Sequence, residues 1–134
     1  MTPDEANLQI VRAYLTALER GVAGAGLGDW LHPEVVQVEH PNRLKPDGDR
    51  RNRTAMMADS LKGAQILRRQ TYVITEALAC EGKVAIEVLW EGELSVAMGS
   101  LTPGDTLVVR SAMMFEFKDR RIVAQRNYDC VEAF

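Results

Sequence analysis

The sequence has few residues that bind metals or form covalent bonds. Its 134 residues include only two cysteines, two histidines and 6% aromatic residues. Two cysteines give no disulfide framework, and so few Cys and His residues give no structural zinc site. We therefore expect no metal, no cofactor and a reducing, cytoplasmic location. If the protein is an enzyme, its chemistry rests on carboxylates, amides and one or two imidazoles.

A basic face and a long apolar run are also lacking. The formal net charge is −3, whereas binding to nucleic acid or to anionic membranes needs clustered positive charge. No run of about eighteen apolar residues is present to cross a bilayer, and the polar start MTPDEANLQ is unlike a secretory signal. With 46% hydrophobic residues, we expect a single domain over residues 1–134 that binds neither nucleic acid nor membranes.

Helical signals come first along the chain. Thr2, Pro3 and Glu5 make a capping box with proline in the first turn, which predicts the start of a helix. Apolar residues then recur at helical spacing: Leu8, Val11, Tyr14, Leu15, Leu18 and Val22. A short second helix is expected to end near Trp30, and a third helix fits residues 54–63.

Strand signals dominate the rest of the sequence. A first strand is expected at residues 35–40, followed by a polar loop with five basic residues up to residue 53. Segments rich in β-branched and aromatic residues follow at residues 69–79, 83–94, 106–117 and 121–129. Helices followed by an antiparallel meander predict an α+β fold with helices on one face of a curved sheet.

Two segments resemble the SnoaL-like proteins of the nuclear-transport-factor-2-like superfamily. Residues 115–129, FEFKDRRIVAQRNYD, resemble their last hairpin, and residues 36–41, VQVEHP, resemble the end of their first strand. With the order of elements, the resemblance extends over nearly the whole chain. It implies a cone-shaped α+β barrel whose bent mixed or antiparallel sheet and three N-terminal helices enclose a pocket. It also implies a homodimer formed through the outer face of the sheet.

The enzymes of this superfamily match the sequence only in part. Where ketosteroid isomerases have an aspartate base, this chain has His40, and their second oxyanion donor corresponds to Met113. Their helix-one tyrosine has a counterpart in Tyr14. The base aspartate of limonene-epoxide hydrolases corresponds to Asn127, which cannot take a proton from water. SnoaL-like polyketide cyclases move a proton next to a carbonyl, and here Asp129 and His40 are the candidates for that role.

His40 and Asp129 are therefore the predicted catalytic residues. Imidazole suits proton transfer at neutral pH, although a histidine before proline is also a common exposed turn residue. Strand alternation places Gln125, Asn127 and Asp129 on one face of the last strand. The resemblance implies that this face lines the pocket; the alternative is that Asp129 lies in solvent at the strand end and Asn127 bonds to backbone.

The remaining candidates are ligand-binding residues of a mostly apolar pocket. The Tyr14 hydroxyl would donate to a ligand carbonyl, or else bond to backbone within the core. Further residues are predicted to line the pocket or to belong to the core: Trp30, Trp90, Met113 and Phe115. The basic loop would rim the pocket and attract an anion, or simply lie in solvent.

Together these features predict a small-molecule pocket protein. Its ligand is a small hydrophobic organic compound with a carbonyl or an epoxide. As an enzyme it would be a cofactor-free isomerase, cyclase or epoxide hydrolase that uses general acid–base catalysis. The alternative is a non-catalytic ligand-binding or protein-interaction module on the same fold.

Overall fold

The capping box at the start of the chain forms in the computed structural model, which describes residues 1–134. Thr2 Oγ1 accepts a hydrogen bond from the Glu5 amide at 3.1 Å, and Glu5 Oε2 accepts one from the Thr2 amide at 3.2 Å. Helix α1 (Pro3–Glu19) follows and packs mainly on the long strand β3 (Leu67–Cys80). Val22, expected on its apolar stripe, lies beyond the end of the helix.

Two further helices lie between α1 and β3. The first is a short 3-10 helix (Gly24–Asp29), and the second is α2 (Arg53–Ile66). Asn52 caps α2, because its side chain accepts a hydrogen bond from the Ala55 amide at 2.9 Å. None of the helices combines the length and the apolar character that crossing a bilayer requires.

Six strands form one open, mixed sheet. Besides β3, they are β1 (Leu31–Glu39), β2 (Asp49–Asn52), β4 (Lys83–Leu94), β5 (Thr106–Lys118) and β6 (Arg121–Val131). Their order is β2-β1-β6-β5-β4-β3. Strands β1 and β6 run parallel, and all other neighbours are antiparallel. The α+β class expected from the sequence is confirmed.

The core lies between the sheet and the helices. Alternate residues of β4, Val84, Ile86 and Val88, are buried, as their period of two predicts. Phe115 and Ile122 of the neighbouring strands are fully buried beside them. We call this helix-covered side the inner face of the sheet and the opposite side its outer face.

Two strand boundaries differ from those expected. Strand β1 begins at Leu31 rather than at residue 35, because Leu31 already pairs with Ile122 of β6, and the register of this pairing shifts between Leu31 and Val36. Pro33 lies within that irregular stretch, where its missing N–H interrupts no regular ladder. Strand β2 lies inside the expected loop, since Asp49–Asn52 pairs with the second half of β1. A four-residue polar edge strand has no hydrophobic alternation to reveal it.

Candidate functional site

A small pocket opens on the inner face where strands β3 to β6 meet the loop of residues 41–48. Its volume is about 190 Å³. Four of its lining residues are among those predicted from the sequence, namely Trp90, Met113, Asn127 and Asp129. Four others were not predicted, namely Leu44, Tyr72, Val109 and Ser111. The pocket therefore has an apolar wall and a polar wall, which is the usual composition of a small-molecule site.

Asp129 is the carboxyl group of the pocket. Ser111 Oγ donates a hydrogen bond to Asp129 Oδ1 at 2.5 Å, across paired positions of β5 and β6. Asp129 Oδ2 makes no hydrogen bond within the chain. Burial raises the pKa of Asp129 above its usual range, and the hydrogen bond from Ser111 opposes this effect. The charge of Glu39 adds to the increase in this pKa and that of Arg51 counteracts it.

Asn127 provides the amide of the polar wall. Its Oδ1 accepts two hydrogen bonds, from Gln37 Nε2 at 3.1 Å and from Gln125 Nε2 at 3.0 Å. Its Nδ2 makes no hydrogen bond within the chain, although the side chain lines the pocket. The pocket thus contains a hydrogen-bond donor at Asn127 and a free carboxylate oxygen at Asp129. The two side chains lie on the same face of β6, two positions apart.

A buried ion cluster supports this wall from β2. The Arg51 side chain is only 8% exposed. Its Nη2 lies 2.8 Å from Glu39 Oε2 and 3.1 Å from Asp49 Oδ2. Its Nε lies 3.0 Å from Asp59 Oδ2, at an angle that makes an ion pair but no hydrogen bond. Arg51 Nη1 also donates to Gln37 Oε1 at 3.0 Å, so the cluster joins β2, β1 and α2 behind the pocket.

Tyr72 and Trp90 form the opposite wall. Trp90 Nε1 donates to Gln70 Oε1 at 2.9 Å, and Gln70 Nε2 donates to the Leu18 carbonyl at 3.2 Å, which fixes the indole against α1. Burial raises the pKa of Tyr72, and the negative charges of Asp129 and Glu19 raise it further. The Tyr72 phenol therefore stays protonated across the physiological pH range and can donate to a ligand.

His40 lies on the other side of the sheet from Asp129. Its ring stacks on Tyr128 of the outer face, with 4.4 Å between ring centroids and 15° between planes. The alternation of β1 explains this position, since Gln37 and Glu39 occupy the inner side and His40 takes the next, outer place. The structure thus brings Asp129 and Asn127 together but does not bring His40 to them.

The sequence of residues 11–125 matches the family model of the SnoaL-like domain. The chain belongs to the SnoaL-like family. This confirms the resemblance found in the first-strand and last-hairpin segments. None of the curated proteins matches the sequence at a significant level.

Solved structures show the same fold at low sequence identity. AclR, a proposed hydroxylase from Streptomyces galilaeus, has a TM-score of 0.78 and 13% identity over 96% of this chain and 81% of its own. IdmH, a proposed polyketide cyclase from Streptomyces antibioticus, has a TM-score of 0.76 and 17% identity over 92% and 91%. A Catenulispora acidiphila protein with a ketosteroid isomerase-like fold, solved with trimethylamine, has a TM-score of 0.70 and 19% identity over 89% and 83%.

The other predicted pocket residues of this SnoaL-like protein lie in the core or pack against it. Tyr14 is buried, and its ring centroid is 6.4 Å from that of Trp30. Phe115 is fully buried, and none of these three lines the pocket. Gln125 is buried behind Asn127 rather than in the wall, and its Oε1 has no hydrogen-bond partner. These side chains fill the part of the inner face that the pocket does not occupy.

In this SnoaL-like protein, sequence reasoning also missed the residues that support the polar wall. Gln37 and Glu39 lie opposite Gln125 and Asn127 in the parallel β1–β6 register. Their alternating polar pattern at the end of the first strand was the available signal. Arg51 gave no such signal, because nothing in a run of basic residues marks the one that is buried. No group of three or more His, Cys, Asp or Glu side chains has an arrangement that would hold a metal ion.

Three larger clefts lie elsewhere on this SnoaL-like chain. One, of about 440 Å³, crosses the outer face beside Tyr128, another, of about 370 Å³, lies between α1, α2 and β3, and a third, of about 230 Å³, lies between α1 and β3. The carboxyl groups that line them, Glu19 and Glu87, are exposed. The smaller pocket at Asp129 is therefore the candidate site, because a perturbed titratable group in a cleft marks function better than volume does.

Proposed function

We propose that this SnoaL-like protein is a cofactor-free enzyme that moves a proton within a small hydrophobic carbonyl compound. The observation that carries the proposal is the Asp129 carboxyl, one oxygen of which is held by Ser111 while the other has no partner. Burial makes this group a stronger base than an exposed aspartate, since burial raises its pKa. Asn127, its neighbour on the polar wall, offers an amide donor, and Tyr72 on the opposite wall offers a protonated phenol.

In the proposed reaction, Asp129 Oδ2 takes a proton from the carbon next to the ligand's carbonyl group. The electron pair of the broken C–H bond moves onto the carbonyl oxygen and forms an enolate. Asn127 Nδ2 and the Tyr72 hydroxyl donate hydrogen bonds to that oxygen as its charge develops. Protonated Asp129 then returns the proton at another carbon, giving an isomer. Alternatively, the enolate carbon attacks a second carbonyl of the same ligand to close a ring, and protonated Asp129 gives its proton to the alkoxide that forms there.

The size of the pocket sets the class of substrate. Drug-sized ligands occupy pockets of about 300–1,000 Å³, whereas this pocket has about 190 Å³. A compound with one ring fits this space better than a fused polyketide. Trp90, Val109 and Met113 supply its apolar contacts, and Leu44 of the 41–48 loop closes one side.

The test is proton exchange at the acidic carbon of single-ring enones and 1,3-diketones, followed by NMR in deuterated water. We expect Asp129→Asn to lower the exchange rate by about 10²-fold or more, the usual contribution of a general base. Asp47→Asn is the matched control, since Asp47 is exposed and makes no ion pair. His40→Ala should also leave the rate unchanged, because His40 lies on the outer face. Equal rates in wild type and Asp129→Asn would refute the proposal.

A non-catalytic binding protein is the second candidate. It is favoured by Asn127, which stands where related epoxide hydrolases have their base. In that case the same compounds bind the wild type, no exchange above the solvent rate occurs, and Asp129→Asn binds them as tightly. Titration of binding and exchange in the same samples separates the two functions.

We further propose that the outer face pairs with a second copy of the chain. Three of its large hydrophobic side chains are exposed, with Val73 at 52%, Leu78 at 66% and Tyr128 at 45%. Glu87 and Arg110 lie along the same cleft and give this face both signs of charge. Light scattering should give twice the chain mass of 14.9 kDa, and Leu78→Arg should reduce it. A single-chain mass at micromolar concentration would refute the dimer.

A further inference from the structure

We propose that Arg51 is a positioning residue that makes the pocket wall a hydrogen-bond donor. Through Gln37, Arg51 fixes which end of the Asn127 amide points into the pocket. The pocket then selects ligands that offer an acceptor, such as a ketone or enolate oxygen, over ligands that offer an N–H. This inference rests on the proposed function, because it assigns specificity to the same site.

Arg51 decides the orientation of the Gln37 amide. The two ends of an amide have nearly the same shape, so only its neighbours decide which end faces which way. A guanidinium can only donate hydrogen bonds. Since Arg51 Nη1 lies 3.0 Å from the Gln37 side chain, the Gln37 atom that faces it must be the oxygen. The nitrogen of Gln37 then faces Asn127.

The orientation of the Gln37 amide in turn decides the orientation of the Asn127 amide. The Gln37 nitrogen can only donate, so the atom of Asn127 at 3.1 Å from it is Oδ1. Asn127 Nδ2 is therefore on the side away from Gln37, where it makes no hydrogen bond within the chain and the residue borders the pocket. The buried Arg51 cation thus determines whether Asn127, two strands away, presents a donor or an acceptor to the pocket.

Arg51 is suited to this role because it cannot turn. Ion pairs with Glu39, Asp49 and Asp59 hold it on three sides, and its side chain is 8% exposed. The backbone fixes the spacing, since Gln37 pairs with Arg51 across β1 and β2 and Glu39 pairs with Asn127 across β1 and β6. The contacts from Arg51 through Gln37 to Asn127, which we call the relay, therefore join neighbouring positions of the three adjacent strands β2, β1 and β6.

Gln125 cannot be the residue that sets the orientation. Its Nε2 donates to the same Asn127 Oδ1 at 3.0 Å, but its own Oε1 is buried without a partner. Because the Gln125 amide has no other hydrogen-bond partner, its orientation is set by Asn127. Of the two amides that donate to Asn127, only Gln37 is itself bonded to a group that can donate but not accept, namely the Arg51 guanidinium.

The decisive variant is Gln37→Glu. A carboxylate keeps the bond to Arg51 but has no N–H to give, so Asn127 must turn its Nδ2 toward position 37 and its Oδ1 toward the pocket. Gln9→Glu, on the exposed side of α1, is the control for the added charge. Arg51→Lys tests the anchor, because lysine also donates only and should preserve the wild-type orientation.

The first readout needs no ligand. In ¹H–¹⁵N spectra the Asn127 side-chain amide should shift downfield in Gln37→Glu, where it bonds to a carboxylate, and should stay in place in Gln9→Glu and Arg51→Lys. The second readout is the ratio of affinities for two single-ring probes, cyclopentanone, which only accepts, and pyrrole, which only donates. We expect Gln37→Glu to lower the cyclopentanone-to-pyrrole affinity ratio by about tenfold or more, since the cyclopentanone oxygen loses its donor while the pyrrole N–H gains an acceptor.

The outcomes separate this inference from the proposed function. An unmoved Asn127 amide in folded Gln37→Glu overturns the relay, whatever the probes do. A shifted amide with no binding of either probe to the wild type supports the relay and overturns the small-carbonyl proposal. If Gln37→Glu does not fold, Gln37→Leu takes its place. Removing the link should then give two sets of Asn127 amide signals, and a single unshifted set would overturn the relay.

Discussion

Replacing Arg51 with methionine removes the cation of the buried cluster and leaves its carboxylates in place. Glu39 is the partner that decides the magnitude, because it is 15% exposed and lies 2.8 Å from the guanidinium. Loss of one member of a buried ion pair costs about 3–5 kcal/mol, since the other charge stays buried without a partner. Asp49 and Asp59 are 36% and 41% exposed, so solvent screens them and each adds about 1 kcal/mol or less. Together these contributions predict a loss of about 3–7 kcal/mol in the free energy of unfolding.

Urea denaturation of Arg51→Met and of the matched variant Arg50→Met measures this effect. Arg50 neighbours Arg51 on β2, is exposed and makes no ion pair, so its replacement should stay within about 0.5 kcal/mol of wild type. Adding Glu39→Leu to Arg51→Met should restore part of the stability, because the orphaned charge is then removed as well. A loss below about 1 kcal/mol in Arg51→Met, with an unchanged denaturant slope, would show that the reasoning about the buried cluster is wrong.

Three further predictions concern the carboxyl, the core and the loop. Burial raises the pKa of Asp129 in the folded protein above the usual range of an aspartate, so the native state binds the proton more tightly and stability falls as pH rises through the native pKa. Asp129→Asn should lack this fall and melt higher than wild type at pH 7 but not near pH 3. Phe115→Ala should cost about 3–5 kcal/mol in denaturant, against about 0.5 kcal/mol or less for the exposed Thr106→Ala. Gly48→Ala should lower the melting temperature, since Gly48 has φ +69° and an added Cβ would lie 2.6 Å from the Glu39 carbonyl oxygen.

The long strands and the first helix could be predicted because each carries its own periodic signal. Strand β4 has the expected bounds, and the capping box places the start of α1 correctly. Strand β2 could not be predicted, because it is held by pairing with β1 and by the contacts of Arg51 rather than by its own hydrophobic pattern. Tertiary pairing overrides local propensity at such short edge strands.

The site was predictable where strand parity alone decided it. Asn127 and Asp129 share a face of β6 and both border the pocket, which agrees with the alternation. To predict the position of His40, one must also know which residues of β1 face inward. That is set by the parallel register of β1 on β6, which pairs Gln37 with Gln125 and places the His40 ring on Tyr128. A shift of one residue exchanges the faces, and no local pattern near His40 reveals it.

The position of β6 in the sheet has a consequence for how the molecule is assembled. It is the sixth strand in sequence and the third across the sheet. Without it, the β1–β2 pair and the β3–β4–β5 meander share no strand pairing, so joining them requires closure of the longest loops in the fold. The same strand carries Asn127 and Asp129, whose partners Gln37 and Ser111 lie in the two separate halves. The polar wall of the candidate pocket thus takes shape only in the step that completes the sheet, and a partly folded chain lacks it.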